Sequence, residues 1–122
     1  MSTSATVATG QSTLFKAGWI VLAVAAALMT LNHLWLIFFL NDPPLFVGWT
    51  AFNLYSLLVV LIPFRRLEKW AWYGSWLLPV GLAIGGFTAT DVSLFYYSTA
   101  AVCALGMLLT MRDFFAADRG TA

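Results

Sequence analysis

Four stretches dense in apolar residues, separated by short polar breaks, organise this chain. The first runs over about 17–40, roughly 24 residues or ~36 Å of helix, enough to cross a ~30 Å hydrocarbon core with some tilt. Asn41-Asp42-Pro43-Pro44 ends it, because the residue before a proline leaves the helical region, while proline suits the first turn of the next helix. The second run covers 45–63 and stops at Phe64-Arg65-Arg66-Leu67-Glu68-Lys69. The third covers 70–87, at the short end of what can cross, and is predicted to kink or loosen at Pro79. After Thr88-Ala89-Thr90-Asp91 comes the fourth, 92–111. A secretory signal peptide would carry an apolar region of only about 7–15 residues before a small-x-small site. The first run instead continues through Leu34 to Leu40, which predicts a retained span. Residues 1–13, rich in Ser, Thr, Ala and Gly, read as a disordered tail, and 113–122 as a polar tail. The expected fold is all-α, an integral membrane antiparallel four-helix bundle over 14–112.

Composition strengthens this reading. The chain is 61% hydrophobic and 9% charged, with a mean hydropathy of +0.87. A soluble domain carries about a quarter charged residues; six Lys and Arg with five Asp and Glu cannot wet a surface of this size, so lipid is expected to cover it. A net charge of +1 argues against a nucleic-acid partner, which calls for a strong basic surplus. Cys103 is the single cysteine, so the chain has no intrachain disulfide, CxxC pair or cysteine-based zinc cage, and Cys103 reads as an inert small core residue.

The charges also predict orientation. Lys16, Arg65, Arg66, Lys69, Arg112 and Arg119 all fall on one side of the four runs, whereas the two opposite turns hold only Asp42 and Asp91. Positive residues stay cytoplasmic, which places both termini in the cytoplasm and the chain as a multi-pass protein of the inner, or plasma, membrane. Aromatics cluster near both edges: Trp19, Trp70, Trp72, Tyr73 and Trp76 at one, Trp35, Phe46, Trp49, Tyr96 and Tyr97 at the other. Lipid anchoring at the headgroup level is their ordinary explanation.

Few residues offer chemistry. His33, the only histidine, lies ~10 Å below the Asp-bearing edge of the first span, and Asn53 lies ~12 Å below the same edge of the second. The short turn between these spans makes them antiparallel neighbours, so the two side chains share one depth, with Asn32 beside the histidine in sequence. At that level the third span carries Val80 and Gly81 and the fourth Ala100 and Ala101, read as two small-residue spans facing two polar ones. A polar ligand site over Asn32, His33, Asn53 and Asp91 is one reading; a His–Asn bond that glues two helices for ~0.6 kcal/mol is the other. Asp42 and Asp91 both stand where a carboxylate caps the following helix. No carboxylate lies at mid-depth, which argues against a proton-coupled exporter of the small four-helix type. Arg65, Arg66 and Lys69 set topology and are candidate contacts for anionic lipid headgroups; Glu68 is spaced to balance Arg65 at i,i+3. Gly81-x-x-x-Gly85 and Ala100-x-x-x-Ala104, with Ala23-x-x-x-Ala27, give small-residue faces for packing within the bundle or along a homodimer seam. No nucleophile constellation, phosphate loop, dinucleotide fingerprint or metal-ligand spacing is present, so no catalytic residue and no metal site is assigned.

The segment Arg65-Arg66-Leu67-Glu68-Lys69-Trp70-Ala71-Trp72-Tyr73, followed by Trp76-Leu77-Leu78-Pro79, resembles one in small bacterial inner-membrane proteins in which a charged cytoplasmic turn leads into an aromatic third span. The overall plan resembles the DoxX-like group of four-helix membrane proteins, some linked to quinone-dependent redox systems. That resemblance implies the architecture and a bacterial inner-membrane location, and it assigns no active site. Three functions follow in order: a non-enzymatic membrane component, packing as a homo-oligomer or within a larger membrane complex; a quinone-, haem- or lipid-binding subunit of a redox system; and a small transporter or channel. Haem held by two histidines would need His33 from a second chain.

Overall fold

The computed structural model describes residues 11–39 and 43–121, with side chains at 11–39 and 44–116. The expectations for most of the N-terminal tail and for Asp42 as a cap lie outside the described residues. The described chain is helical and contains no strand: α1 Thr13–Phe39, α2 Pro43–Val59 continuing as a π-helical turn Val60–Phe64, α3 Lys69–Ser75, α4 Leu77–Thr88, a 3-10 turn Thr90–Val92, and α5 Ser93–Thr121. Three helical stretches, Thr13–Phe39, Pro44–Phe64 and Thr90–Ala116, have the length and apolar character of membrane spans.

Long side chains face outward. Leu94, Phe87 and Phe38 are 82%, 77% and 76% exposed, and leucines 14, 28, 31, 54 and 105 are exposed with them. A water-soluble bundle buries such residues; an apolar surroundings accommodates them. Inside, α1 packs along α2 and along α5, and α5 along α4. The seam between α2 and α4 is thinner, leaving a cleft lined by Gly48, Phe52, Gly81 and Ile84.

The third limb differs from one continuous helix. Pro79 has no N–H for the Ser75 carbonyl, and its ring crowds that carbonyl. The helix therefore breaks at Trp76, three residues earlier, and restarts with Pro79 in the first turn of α4, where a missing N–H is tolerated. Before this limb, the chain turns through Leu67, whose φ is +61°. Glu68 N–H bonds the Pro63 carbonyl at 3.1 Å and Leu67 N–H bonds the Phe64 carbonyl at 3.0 Å. This is the pairing that closes a helix through one left-handed residue, a position that usually prefers glycine.

The bundle is pinned where α1 begins. Ser12 caps α1, its Oγ accepting from Phe15 N–H at 3.1 Å. The Asp113 carboxylate in turn accepts from Ser12 N–H at 2.7 Å and Ser12 O–H at 2.6 Å. Gln11 donates to the Arg65 carbonyl at 2.6 Å. The last residues of the segment expected as a tail are thus tied into the bundle, and the segment expected as a polar C-terminal tail continues α5 to Thr121.

Glycine sets one close approach that the small-residue motifs do not flag. A Cβ on Gly18 would lie 2.5 Å from the Gly106 carbonyl oxygen and 2.7 Å from Thr110 Cγ2, so α1 and α5 meet backbone to backbone. At Gly48 the same Cβ meets nothing. Gly18→Ala is expected to cost about 1–3 kcal/mol by overpacking, whereas Gly48→Ala is neutral or stabilises by about 0.5–1 kcal/mol. Reversible unfolding in mixed micelles measures both, and equal effects at the two sites would contradict the packing described.

Candidate functional site

His33 on α1 is 1% exposed and Asn53 on α2 is 0% exposed, so each must find polar partners inside the bundle. Asn53 Nδ2 lies 2.9 Å from the Trp49 carbonyl and 2.8 Å from His33 Nδ1. A carbonyl only accepts, which identifies that atom as the amide nitrogen, and its second proton points at the histidine. His33 Nδ1 is then the bare nitrogen, and Nε2–H donates to the Tyr96 hydroxyl on α5 at 3.0 Å. The Met29 carbonyl, one turn earlier on α1, offers the ring another acceptor. A proton on Nδ1 would nevertheless face the Asn53 N–H at 2.8 Å, which disfavours that tautomer. Three helices are thereby joined through one imidazole.

Rings close around it. Phe46, Trp49 and Asn53 share one face of α2 at helical spacing. The Phe46 and Trp49 rings lie at 6.2 Å and 5.8 Å from the imidazole with interplanar angles of 25° and 19°, and Tyr96 lies at 6.1 Å and 16°. Two hydrogen-bonding capacities remain unspent: Asn53 Oδ1, buried without a partner, and the Tyr96 hydroxyl proton, since that oxygen already accepts from His33. A buried unsatisfied group costs about 1–3 kcal/mol, so this network is not optimised as glue alone.

Beside it opens a cavity of about 560 Å³, lined by Leu36, Leu45, Phe46, Trp49, Gly85, Thr88, Ala89, Thr90, Asp91, Val92 and Tyr96. Tyr96 and Trp49 belong both to this wall and to the shell around His33. The structure therefore brings His33 and Asn53 into direct contact and places Asp91 at the mouth of the adjoining cavity. It does not bring Asn32 in: one residue along a helix turns ~100°, and Asn32 is half-buried off the His33 face. Asp91 lies inside the 3-10 turn, where no cap hydrogen bond from its side chain forms among the described residues, contrary to the capping expectation.

The packing and charge candidates resolve similarly. Gly81 meets the Phe52 ring and Gly85 the Tyr96 ring; Ala100 is buried in the core and Ala104 half-buried. The glycine face is thus consumed inside the bundle. Arg65 and Arg66 line a shallow cleft of about 390 Å³ with Gln11, Leu61 and Ile62, and Lys69 is exposed nearby. Glu68 accepts from Trp70 Nε1 at 2.7 Å, and the Arg65 guanidinium sits 5.2 Å from the centre of the Trp19 ring, so the expected Arg65–Glu68 balance is replaced by two aromatic contacts. Two residues expected as edge anchors are core instead: Tyr96, and Trp72, whose Nε1 reaches the Met107 carbonyl and Thr110 Oγ1. Tyr96 falls in i,i+4,i+7 register with buried Ala100 and Cys103, and that register is what separates a core aromatic from an edge anchor.

No family model, curated protein or solved structure matches this chain.

Tyr96→Phe keeps the ring and removes the hydroxyl, and is expected to cost about 0.5–1.5 kcal/mol; His33→Ala, which also orphans an Asn53 proton, should cost about 1–3 kcal/mol. The double variant should resemble His33→Ala alone, because both changes break one network. Strictly additive losses in unfolding free energy would contradict it.

Proposed function

We propose that the chain is a four-span integral membrane protein with both ends at the cytoplasmic face of a bacterial inner membrane, acting as a non-enzymatic component that holds a small ligand in the Asp91-end cavity. The observation that carries the ligand part is the His33–Asn53–Tyr96 network beside that cavity, whose unspent capacity exceeds what helix glue requires. Small-molecule sites have this character, a mostly apolar concavity with few polar groups and a volume of about 300–1,000 Å³. The DoxX-like resemblance of the Arg65–Tyr73 segment belongs to the same proposal. So does membership in a larger membrane complex or homo-oligomer, since Trp35, Phe38 and Phe39 present exposed rings at the cavity end. α3 and α4 together supply the third crossing, although broken at Trp76. Arg65 and Arg66 supply donors for an anionic lipid headgroup at the cytoplasmic face.

A second reading, a quinone-binding redox subunit, is favoured by one feature: the Tyr96 hydroxyl, backed by His33, is a donor on a cavity-lining residue. Haem fits less well, because both His33 ring nitrogens are already engaged.

Two experiments test these readings. In a Cys103→Ser background, cysteine at Thr90 should react with an impermeant maleimide added outside intact cells, and cysteine at Arg66 only after lysis; labelling of both from one side would overturn the topology. Mass spectrometry of protein purified with its lipids should reveal a small molecule that Ala89→Trp, which fills the cavity, loses. No difference between the two proteins would count against ligand holding.

A further inference from the structure

The Asp91-end cavity has walls of two kinds: the rings of Phe46, Trp49 and Tyr96, and a carboxylate at its mouth. Among the described residues no hydrogen bond or ion pair engages the Asp91 carboxylate. Basic residues are remote. Lys16, Arg65, Arg66 and Arg112 belong to the end where Ser12 meets Asp113 and Gln11 meets Arg65, and Arg112 is ~30 Å along the helical limb from Asp91. Helix termini do not reverse the sign. The C-terminus of α4 and the N-terminus of α5 both border the cavity and contribute opposite partial charges, so the carboxylate decides it. The Thr88 hydroxyl is spent on the Ile84 and Gly85 carbonyls, so it offers no proton to an anion. A metal ion is poorly served, since the described residues hold no group of three or more His, Cys, Asp or Glu. Aromatic rings in a wall that also carries one carboxylate instead suit a weakly hydrated organic cation, attracted by the ring quadrupole as well as by the charge.

We infer that this cavity binds an organic ammonium ion, its charged head between Asp91 and the rings of Trp49 and Tyr96. This rests on the ligand-holding reading above and adds the chemical class of the ligand.

The test is equilibrium dialysis of the full-length protein in phosphatidylcholine nanodiscs, with empty discs subtracted. The probes are benzyltrimethylammonium and its uncharged carbon isostere. Saturable binding of the cation is expected, about tenfold or more tighter than the isostere. Asp91→Asn should abolish that preference without lowering the thermal midpoint, while Asp113→Asn, at the other end, leaves it intact. Unchanged cation affinity in Asp91→Asn, or equal affinity for the two probes, overturns the inference. Saturable isostere binding that Ala89→Trp removes would leave the ligand-holding reading standing while the cation inference falls. Absence of saturable binding by either probe defeats both.

Discussion

A histidine enclosed by apolar side chains must have both ring nitrogens answered, and in this protein the answers come from two other helices. Asn53 on α2 and Tyr96 on α5 reach His33 from opposite sides of the imidazole. The arrangement fixes register as well as proximity. Sliding either neighbour by one helical turn, ~5.4 Å, would break its bond and leave a buried polar group unpaired. Phe46 and Trp49 then follow from the α2 face that carries Asn53, and the cavity follows from the rings those positions share with Tyr96.

The two ends of the bundle are chemically distinct. One end holds the arginines, the Ser12–Asp113 clamp and the Trp19–Arg65 contact. The other holds Asp91 and a concave aromatic surface. Between them the α1–α5 seam is drawn tight by Gly18 and Gly106, whereas the α2–α4 seam stays thin.

Much of this was legible in the residues, for identifiable reasons. Three long helices follow from uninterrupted apolar runs, and the His33–Asn53 contact from counting depth on either side of a short turn. Tyr96 and Trp72 were not legible from position alone, because an aromatic near a helix end reads equally as an edge anchor or as core; only helix phase relative to buried neighbours separates the two. The break at Trp76 displaced the proline effect by three residues, since the disturbed carbonyl belongs to Ser75 rather than to Pro79 itself. Gly18 and Gly106 stand outside any repeating small-residue motif, so their close approach emerges only when α1 and α5 are placed together. Glu68 fails to meet Arg65 because the left-handed Leu67 interrupts the helix that i,i+3 spacing presumes.

Because the chain has one histidine, nitrogen-15 NMR of the imidazole in lipid bilayers reports on the network without ambiguity. A proton on Nε2, a bare Nδ1, and through-space correlations from the ring to the Asn53 amide and the Tyr96 ring are expected. An imidazole that exchanges rapidly with water and shows neither correlation would contradict it.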